Sequence, residues 1–192
     1  MLPIDGLVLA GGMSRRMQQP KEKLCLPNNT TLLENAARVL EKTVAGTVWV
    51  SRPYGAETAN PCHVPDRVPQ KGPLAGLREG LARTEKEALA VLAVDLPKVP
   101  PELFRQLWRA WQEHPDADLV YPVAQSVAQP LAAIWHRRAL PVIAQALALN
   151  RVPRLMEVVA RLSSHTVAVD PDWLVNVNTP KDLNDFLLGW KQ

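Results

Sequence analysis

Four cations fall close together near the start of the chain: Arg15, Arg16, Lys21 and Lys23, within the stretch IDGLVLAGGMSRRMQQPKEK that runs from Ile4 to Lys23. They follow an apolar run, Gly6 to Ala10, that stops at Gly11 and Gly12. A strand ending in two glycines lets backbone approach a ligand without interference from a Cβ. N–H groups freed at such a turn form a concavity for anions, and arginine and lysine just beyond supply the charge a polyphosphate needs. A tight turn and a solvated basic loop would use the same glycines, since Gly-Gly alone marks only a turn. The clustered cations are what point to phosphate.

The strongest acidic candidate is Asp95, which closes the unbroken apolar run Ala88 to Val94. A carboxylate there must be solvated, paired or bound to metal. Phosphate sites commonly hold Mg²⁺ through one or two carboxylates together with the phosphates themselves. Capping the proline-rich turn that follows would be the structural use of the same residue. Gly72 to Gly76 (GPLAG) reads as a tight turn feeding a helix N-terminus, which is either an anion contact or a turn and nothing more. Asn176 and Asn178, in VNVNTP, stand two residues apart. In an extended segment they point the same way and can address one ligand or one metal shell.

Other chemistries lack their residues. The P-loop pattern G-x-x-x-x-G-K-[ST] and the dinucleotide pattern G-x-G-x-x-G are both absent. The four histidines are scattered and make no relay with a serine or cysteine, which counts against a hydrolase triad. Cys25 and Cys62 stand alone, so a structural zinc site is not expected. A net charge of +3 on 192 residues is too mild to argue for nucleic acid. No apolar run approaches the roughly 20 residues of a membrane span, and the N-terminus lacks the features of a signal peptide. The expectation is a cytoplasmic protein without membrane or nucleic-acid partners.

The elements that must position these residues alternate between apolar strands and amphipathic helices, the pattern of βα units around a mainly parallel sheet. Strands are expected over Gly6 to Ala10, Thr47 to Val50, Cys62 to Val64, Ala88 to Val94, Asp118 to Pro122, Leu131 to Trp135 and Thr166 to Val169. Helices are expected from a Thr31–Glu34 capping box to about Thr43, from Gly76 to about Thr84, and over Glu102 to His114, Arg137 to Leu149 and Arg154 to Leu162. A last helix is capped by Thr179 with Pro180 at its first position, and Tyr54 to Ala59 could form a helical turn. With no linker and no internal repeat, residues 1–192 read as one α/β domain. In such sheets ligands sit beyond the carboxyl ends of the strands, which is where the Gly11-Gly12 loop, the Asp66 to Gly76 loop and Asp95 all fall.

LAGGMSRRMQQPK, GPLAG, VDLP, QPL (Gln129 to Leu131) and NVNTP, in this order from Leu9 to Pro180, resemble the molybdenum cofactor guanylyltransferases. The resemblance implies a three-layer αβα sandwich of the Rossmann-like nucleotide-diphospho-sugar transferase type. It also implies the reaction of GTP with molybdopterin to give the dinucleotide and pyrophosphate, with Mg²⁺. On it, Leu9, Ala10, Gly11 and Gly12 would line the nucleotide, with Ser51, Gly72 and Gly76 nearby. Arg16 would sit on the triphosphate and Lys21 beside the α- and β-phosphates, Lys23 being the fallback. Asp66 would contact the base or ribose, and Asp95 would hold the metal. Asn176, Asn178 and Gln129 would stand on the acceptor side. Transient contacts with proteins of molybdenum cofactor synthesis or use would follow.

Four positions depart from that pattern: Gln18 where glycine is common, Glu22-Lys23 in place of apolar residues, and Ser51 where some members have asparagine. QPKEKL is also similar to cytidylyltransferase relatives. A related cytidylyl- or guanylyltransferase with another product or acceptor (molybdopterin cytosine dinucleotide, cobinamide phosphate or a polyol phosphate) is therefore the alternative, and a non-catalytic nucleotide-binding partner is a second.

Overall fold

A computed structural model of the chain describes residues 1–10, 21–56, 60–67 and 71–189. Gly11, Gly12 and Arg16 lie outside the described residues, as does the second half of the turn expected over Tyr54 to Ala59. Two strands form the centre of the sheet, β1 (Asp5–Leu9) and β4 (Ala88–Ala93), and every residue of both is buried. Parallel strands covered on both faces read as continuous apolar runs, and these two do. Between them in the chain come β2 (Val48–Arg52) and β3 (His63–Pro65). They are followed by β5 (Leu119–Ala124), β6 (Val127–Ala128), β7 (Ala132–His136) and β8 (Ser164–Ala168).

The sheet runs β3-β2-β1-β4-β7-β5, with β6 and β8 also paired to β5. The pairings are parallel from β3 through β4 and between β5 and β8. β7 lies antiparallel to both β4 and β5. β1 has β2 on one side and β4 on the other, so the chain reverses its direction of sheet building beyond the carboxyl end of β1. Open α/β sheets form their ligand crevice at such a switch.

Alternate residues of the central strands feed two cores. Val8, Ala90 and Leu92 pack with α1 (Leu32–Glu41), α3 (Pro101–Glu113) and α6 (Pro180–Leu188). Leu7, Leu89 and Val91 pack with α2 (Pro73–Arg83), α4 (Leu140–Ala148) and α5 (Leu155–Val159). The result is the three-layer α/β arrangement expected.

Several boundaries differ from expectation. The helix expected from Arg137 opens as a 3₁₀ turn, Arg137–Ala139, and becomes α-helical only where Pro141 sits in the first turn. α5 stops at Val159, because Arg161 and Leu162 bond the carbonyls of Val158 and Val159, three residues back, and turn the chain into β8. Strand β6 was not expected. It forms a hairpin with β5 through Gln125 and Ser126, both in the left-handed region at φ 48° and 67°. That hairpin turn is usually signalled by asparagine or glycine.

Candidate active site

The parallel register places Leu9, Ser51 and Ala93 side by side at the carboxyl ends of β1, β2 and β4. Ala10 leaves β1 at this row, and its N–H bonds the hydroxyl of Ser51 at 3.3 Å. Ser51 is itself buried, so its oxygen serves the backbone next to the opening loop. Above it passes α2. Gly72 at its N-cap adopts φ 64°, a conformation that glycine reaches without strain. At Gly76 a Cβ would come within 2.9 Å of Leu9 and of Ser51. Gly76 is thus the point where the helix backbone lies directly on the Leu9 and Ser51 side chains of the sheet, and this close packing is the structural role of the second GPLAG glycine.

Asp95 follows β4 by two residues. Its backbone carbonyl accepts from the N–H of Val177 at 2.9 Å, which draws the C-terminal VNVNTP segment across the carboxyl end of the sheet. Lys21, in the 3₁₀ turn Lys21–Lys23, reaches the same place from the opening loop. Its ammonium lies 3.6 Å from the Asp95 carboxylate and donates to the side-chain oxygen of Asn178 at 2.7 Å. Residues separated by 74 and by 157 positions meet around one amine. The pair is largely withdrawn from water, with side-chain exposures of 18% for Lys21 and 27% for Asp95. Burial pushes the Asp95 carboxyl up from its ordinary range, and the Lys21 charge opposes that shift.

Lys21, not Lys23, occupies this position; the Lys23 carbonyl accepts from the Cys25 thiol at 3.9 Å. Asn176 goes elsewhere. Its amide turns back to the carbonyl of Leu174 at 3.5 Å, and it lines a cavity of about 290 Å³ with Lys98 and Asp182. The two asparagines therefore do not share a polar partner. Gln129 precedes β7, whose first residue pairs with Leu92, so antiparallel β7 brings the QPL segment to the same end of the sheet. There the Leu131 carbonyl accepts from the N–H of Ala93 at 2.8 Å.

Asp66 lies one residue beyond β3, two strands from β1, and lines a cavity of about 440 Å³ with Arg67, Glu79 and Arg83. Burial and the neighbouring Glu79 charge push its carboxyl up to about 6. One carboxyl oxygen, Oδ1, is buried without a hydrogen-bond partner. Glu79 is instead paired with Arg67 at 3.2 Å and with Arg78. An orphaned buried oxygen costs free energy until something bonds it, which fits a ligand hydroxyl or amine at Asp66.

The arrangement suits a hard divalent cation held jointly with phosphate. Among the described residues no three His, Cys, Asp or Glu side chains gather around a possible metal. A metal at Asp95 would therefore complete its shell with phosphate oxygens and water, as Mg²⁺ and Mn²⁺ do. Among the same residues no helix is long and apolar enough to cross a membrane.

Comparisons with known proteins identify the family and the fold. The profile of the MobA-like NTP transferase domain matches residues 6–169. The chain belongs to this family. It is accordingly a nucleotidyltransferase of Rossmann-like α/β type. A curated relative from Bacillus cereus (strain B4264), named probable molybdenum cofactor guanylyltransferase, is 32% identical over 188 residues, covering 92% of each chain.

Among solved structures, molybdopterin-guanine dinucleotide biosynthesis protein A from Archaeoglobus fulgidus superposes with TM-score 0.76 at 22% identity, over 94% of this chain and 95% of that one. The manganese complex of Rv0371C from Mycobacterium tuberculosis gives 0.73 at 21%, over 97% and 98%. 2-C-methyl-D-erythritol 4-phosphate cytidylyltransferase from Thermus thermophilus gives 0.70 at 18%, over 97% and 98%. At these identities the superpositions speak for the fold.

One bond of Asp182 has no signal in the sequence. The Thr179–Asp182 helix cap could be read from the sequence, but the further bond from the Asp182 carboxylate to the N–H of Asn178, at 2.9 Å, has no sequence signal.

Proposed function

We propose that this nucleotidyltransferase transfers GMP from GTP to the terminal phosphate of molybdopterin and releases pyrophosphate. The convergence of Lys21, Asp95 and Asn178 at the carboxyl end of β4 carries this reading. A phosphate oxygen of the acceptor attacks the α-phosphorus of GTP, the bond from Pα to the bridging oxygen of Pβ breaks, and the electron pair leaves with pyrophosphate. The nucleophile is already an anion, so no general base is required.

Such transfer depends on charge neutralisation and in-line positioning. The Lys21 ammonium neutralises charge that develops on the α-phosphate and on the departing pyrophosphate. Arg16 of the opening loop would act on the triphosphate beside it. Asn178 fixes the amine by accepting one of its three N–H bonds, and Asp95 is the ligand for a divalent cation. That cation, when bound, supplies Lewis-acid stabilisation of the phosphate oxygens. Mg²⁺ is the expected ion, and the manganese complex of a mycobacterial protein of this fold supports a divalent metal.

The backbone beyond Leu9 and Ala10, including Gly11 and Gly12, cradles the nucleotide. Ser51 and Gly76 shape the floor beneath it, and Gly72 sets the entry of α2. The unpartnered oxygen of Asp66 takes a ribose or base contact, and Gln129 and Asn176 face the acceptor side. Pyrophosphate release from GTP, divalent metal and molybdopterin tests the proposal; no release with GTP would overturn it, and release with CTP alone would favour cytidylyl transfer.

The cytidylyltransfer reading keeps the similarity of QPKEKL to cytidylyltransferase relatives as its support, together with a cytidylyltransferase among the fold neighbours, and Ser51 leaves the base preference open. Melting-point shifts with GTP and with CTP, each with Mg²⁺, separate the bases, because a ligand of the native state raises the transition by mass action.

A further inference from the structure

The helix cap of α6 does more than a cap requires. In a capping box the N-cap hydroxyl and the side chain three residues on bond each other's backbone N–H groups. Here Thr179 Oγ1 accepts from the Asp182 N–H at 3.1 Å and Asp182 Oδ2 accepts from the Thr179 N–H at 2.8 Å. The same carboxylate oxygen also accepts from the N–H of Asn178 at 2.9 Å. That bond lies outside the helix and serves none of its free N–H groups.

It holds the peptide that carries Asn178, whose side chain in turn accepts from Lys21. One residue earlier, Val177 is pinned to the Asp95 carbonyl. Asn178 is thus fixed from both sides, by Asp95 through Val177 and by Asp182 directly. Its amide oxygen and the Asp95 carboxylate flank the same amine. A lysine side chain has large rotamer freedom, so an ammonium that must meet a phosphate gains from a fixed acceptor.

We propose that Asp182 is a positioning residue for nucleotidyl transfer: by anchoring the Asn178 peptide it aims the Asn178 amide at Lys21 and holds the lysine at the reacting phosphates. The inference rests on Lys21 being the phosphate lysine of the proposed reaction. Asp182 itself touches no substrate. Its removal leaves the helix shorter by a cap and the lysine free to leave Asp95.

The test compares Asp182→Ala, Asp182→Asn, Thr179→Ala and Asn178→Ala in the full chain. Thr179→Ala destroys the same capping box but keeps the bond from Asp182 to Asn178. The first readout needs no substrate: the rate at which a small acylating reagent modifies Lys21 at fixed pH, followed by peptide mass spectrometry. Asp182→Ala and Asn178→Ala raise that rate together, by about fivefold, as the local tether opens. Thr179→Ala leaves it within about twofold of wild type, although both cap variants lower Tm by a similar ~2–4 °C.

The second readout is steady-state transfer. Asp182→Ala lowers kcat by about ten- to a hundredfold with little change in nucleotide KM, the mark of a misplaced group. Asp182→Asn, which keeps an acceptor oxygen, recovers most of it. Equal Lys21 labelling in the Thr179 and Asp182 variants, or wild-type labelling in Asp182→Ala, overturns the proposal. The expected labelling pattern supports it even in a protein that transfers no GMP to molybdopterin, a result that removes only the guanylyltransferase reading.

Discussion

Asp5 and Asp95 stand at opposite ends of the adjacent strands β1 and β4, and the fold treats them differently. Asp5 opens β1, is 6% exposed and is fully bonded by the protein. Its Oδ1 accepts from the Thr47 N–H at 2.9 Å and its Oδ2 from the Thr84 hydroxyl at 2.6 Å. Asp95 follows β4 at the other edge, keeps part of its carboxylate exposed, and faces an ammonium at 3.6 Å, beyond ordinary hydrogen-bond length. A buried carboxylate either has its bonds completed by the fold or has them left for a ligand. The first fastens the start of β1 to the connections before β2 and after α2, and the second is where the proposed chemistry falls.

Substitutions at the two ends should therefore separate activity from stability. Asp95→Asn gives the largest loss of turnover, about a thousandfold, with metal dependence removed and the melting curve little changed. Activity assayed across a Mg²⁺ titration checks this, and wild-type metal dependence would erase the contrast. Lys21→Ala follows at about a hundredfold or more in kcat, with circular dichroism unchanged; near wild-type transfer would remove Lys21 from the mechanism.

At the opposite end, Asp5→Ala takes the acceptor from the buried Thr84 hydroxyl and from the Thr47 N–H and costs about 2–4 kcal/mol. This amounts to a fall of roughly 5–15 °C in Tm for a chain of this size, while kcat at 25 °C stays near wild type. A large loss of kcat in the folded Asp5 variant would mean that the two ends are not independent.

The smallest effect concerns Asp66. Its carboxyl is pushed up to about 6 in the folded protein, against roughly 3.9 when unfolded. The folded state then holds the proton more tightly, so stability from this group is complete below about pH 4 and is lost as pH rises through about 6. Asp66→Asn should accordingly melt higher than wild type at pH 8 in the absence of nucleotide, with the gain gone at pH 4. A pH-independent difference between the two proteins would contradict that.

The reach of the sequence can be judged residue by residue. Asp95 was legible because a single acid closing a long apolar strand needs a partner, and the cation-rich opening loop supplied one. The α1 and α6 caps were legible because capping is local. The antiparallel direction of β7 was not, since an apolar run carries no sign of which way it pairs. The β5–β6 hairpin was hidden because Gln125 and Ser126 are not the residues that usually adopt its backbone. The meeting of Lys21 with Asn178 depends on a bond from Val177 to Asp95 across the sheet, and no local pattern encodes it. Asn176 and Asn178 bond different protein groups, the Leu174 carbonyl and the Lys21 amine, a difference that their spacing does not encode.

The central claim is that Lys21 and Asp95 act on one triphosphate. The most direct measurement is protection of the Lys21 amine from acylation by GTP with Mg²⁺, read by peptide mass spectrometry in wild type and in Asp95→Asn. The account predicts strong protection in wild type at saturating GTP, lost or sharply weakened in the variant. Lys21 labelling that ignores bound GTP in wild type, with binding verified by calorimetry, would contradict it.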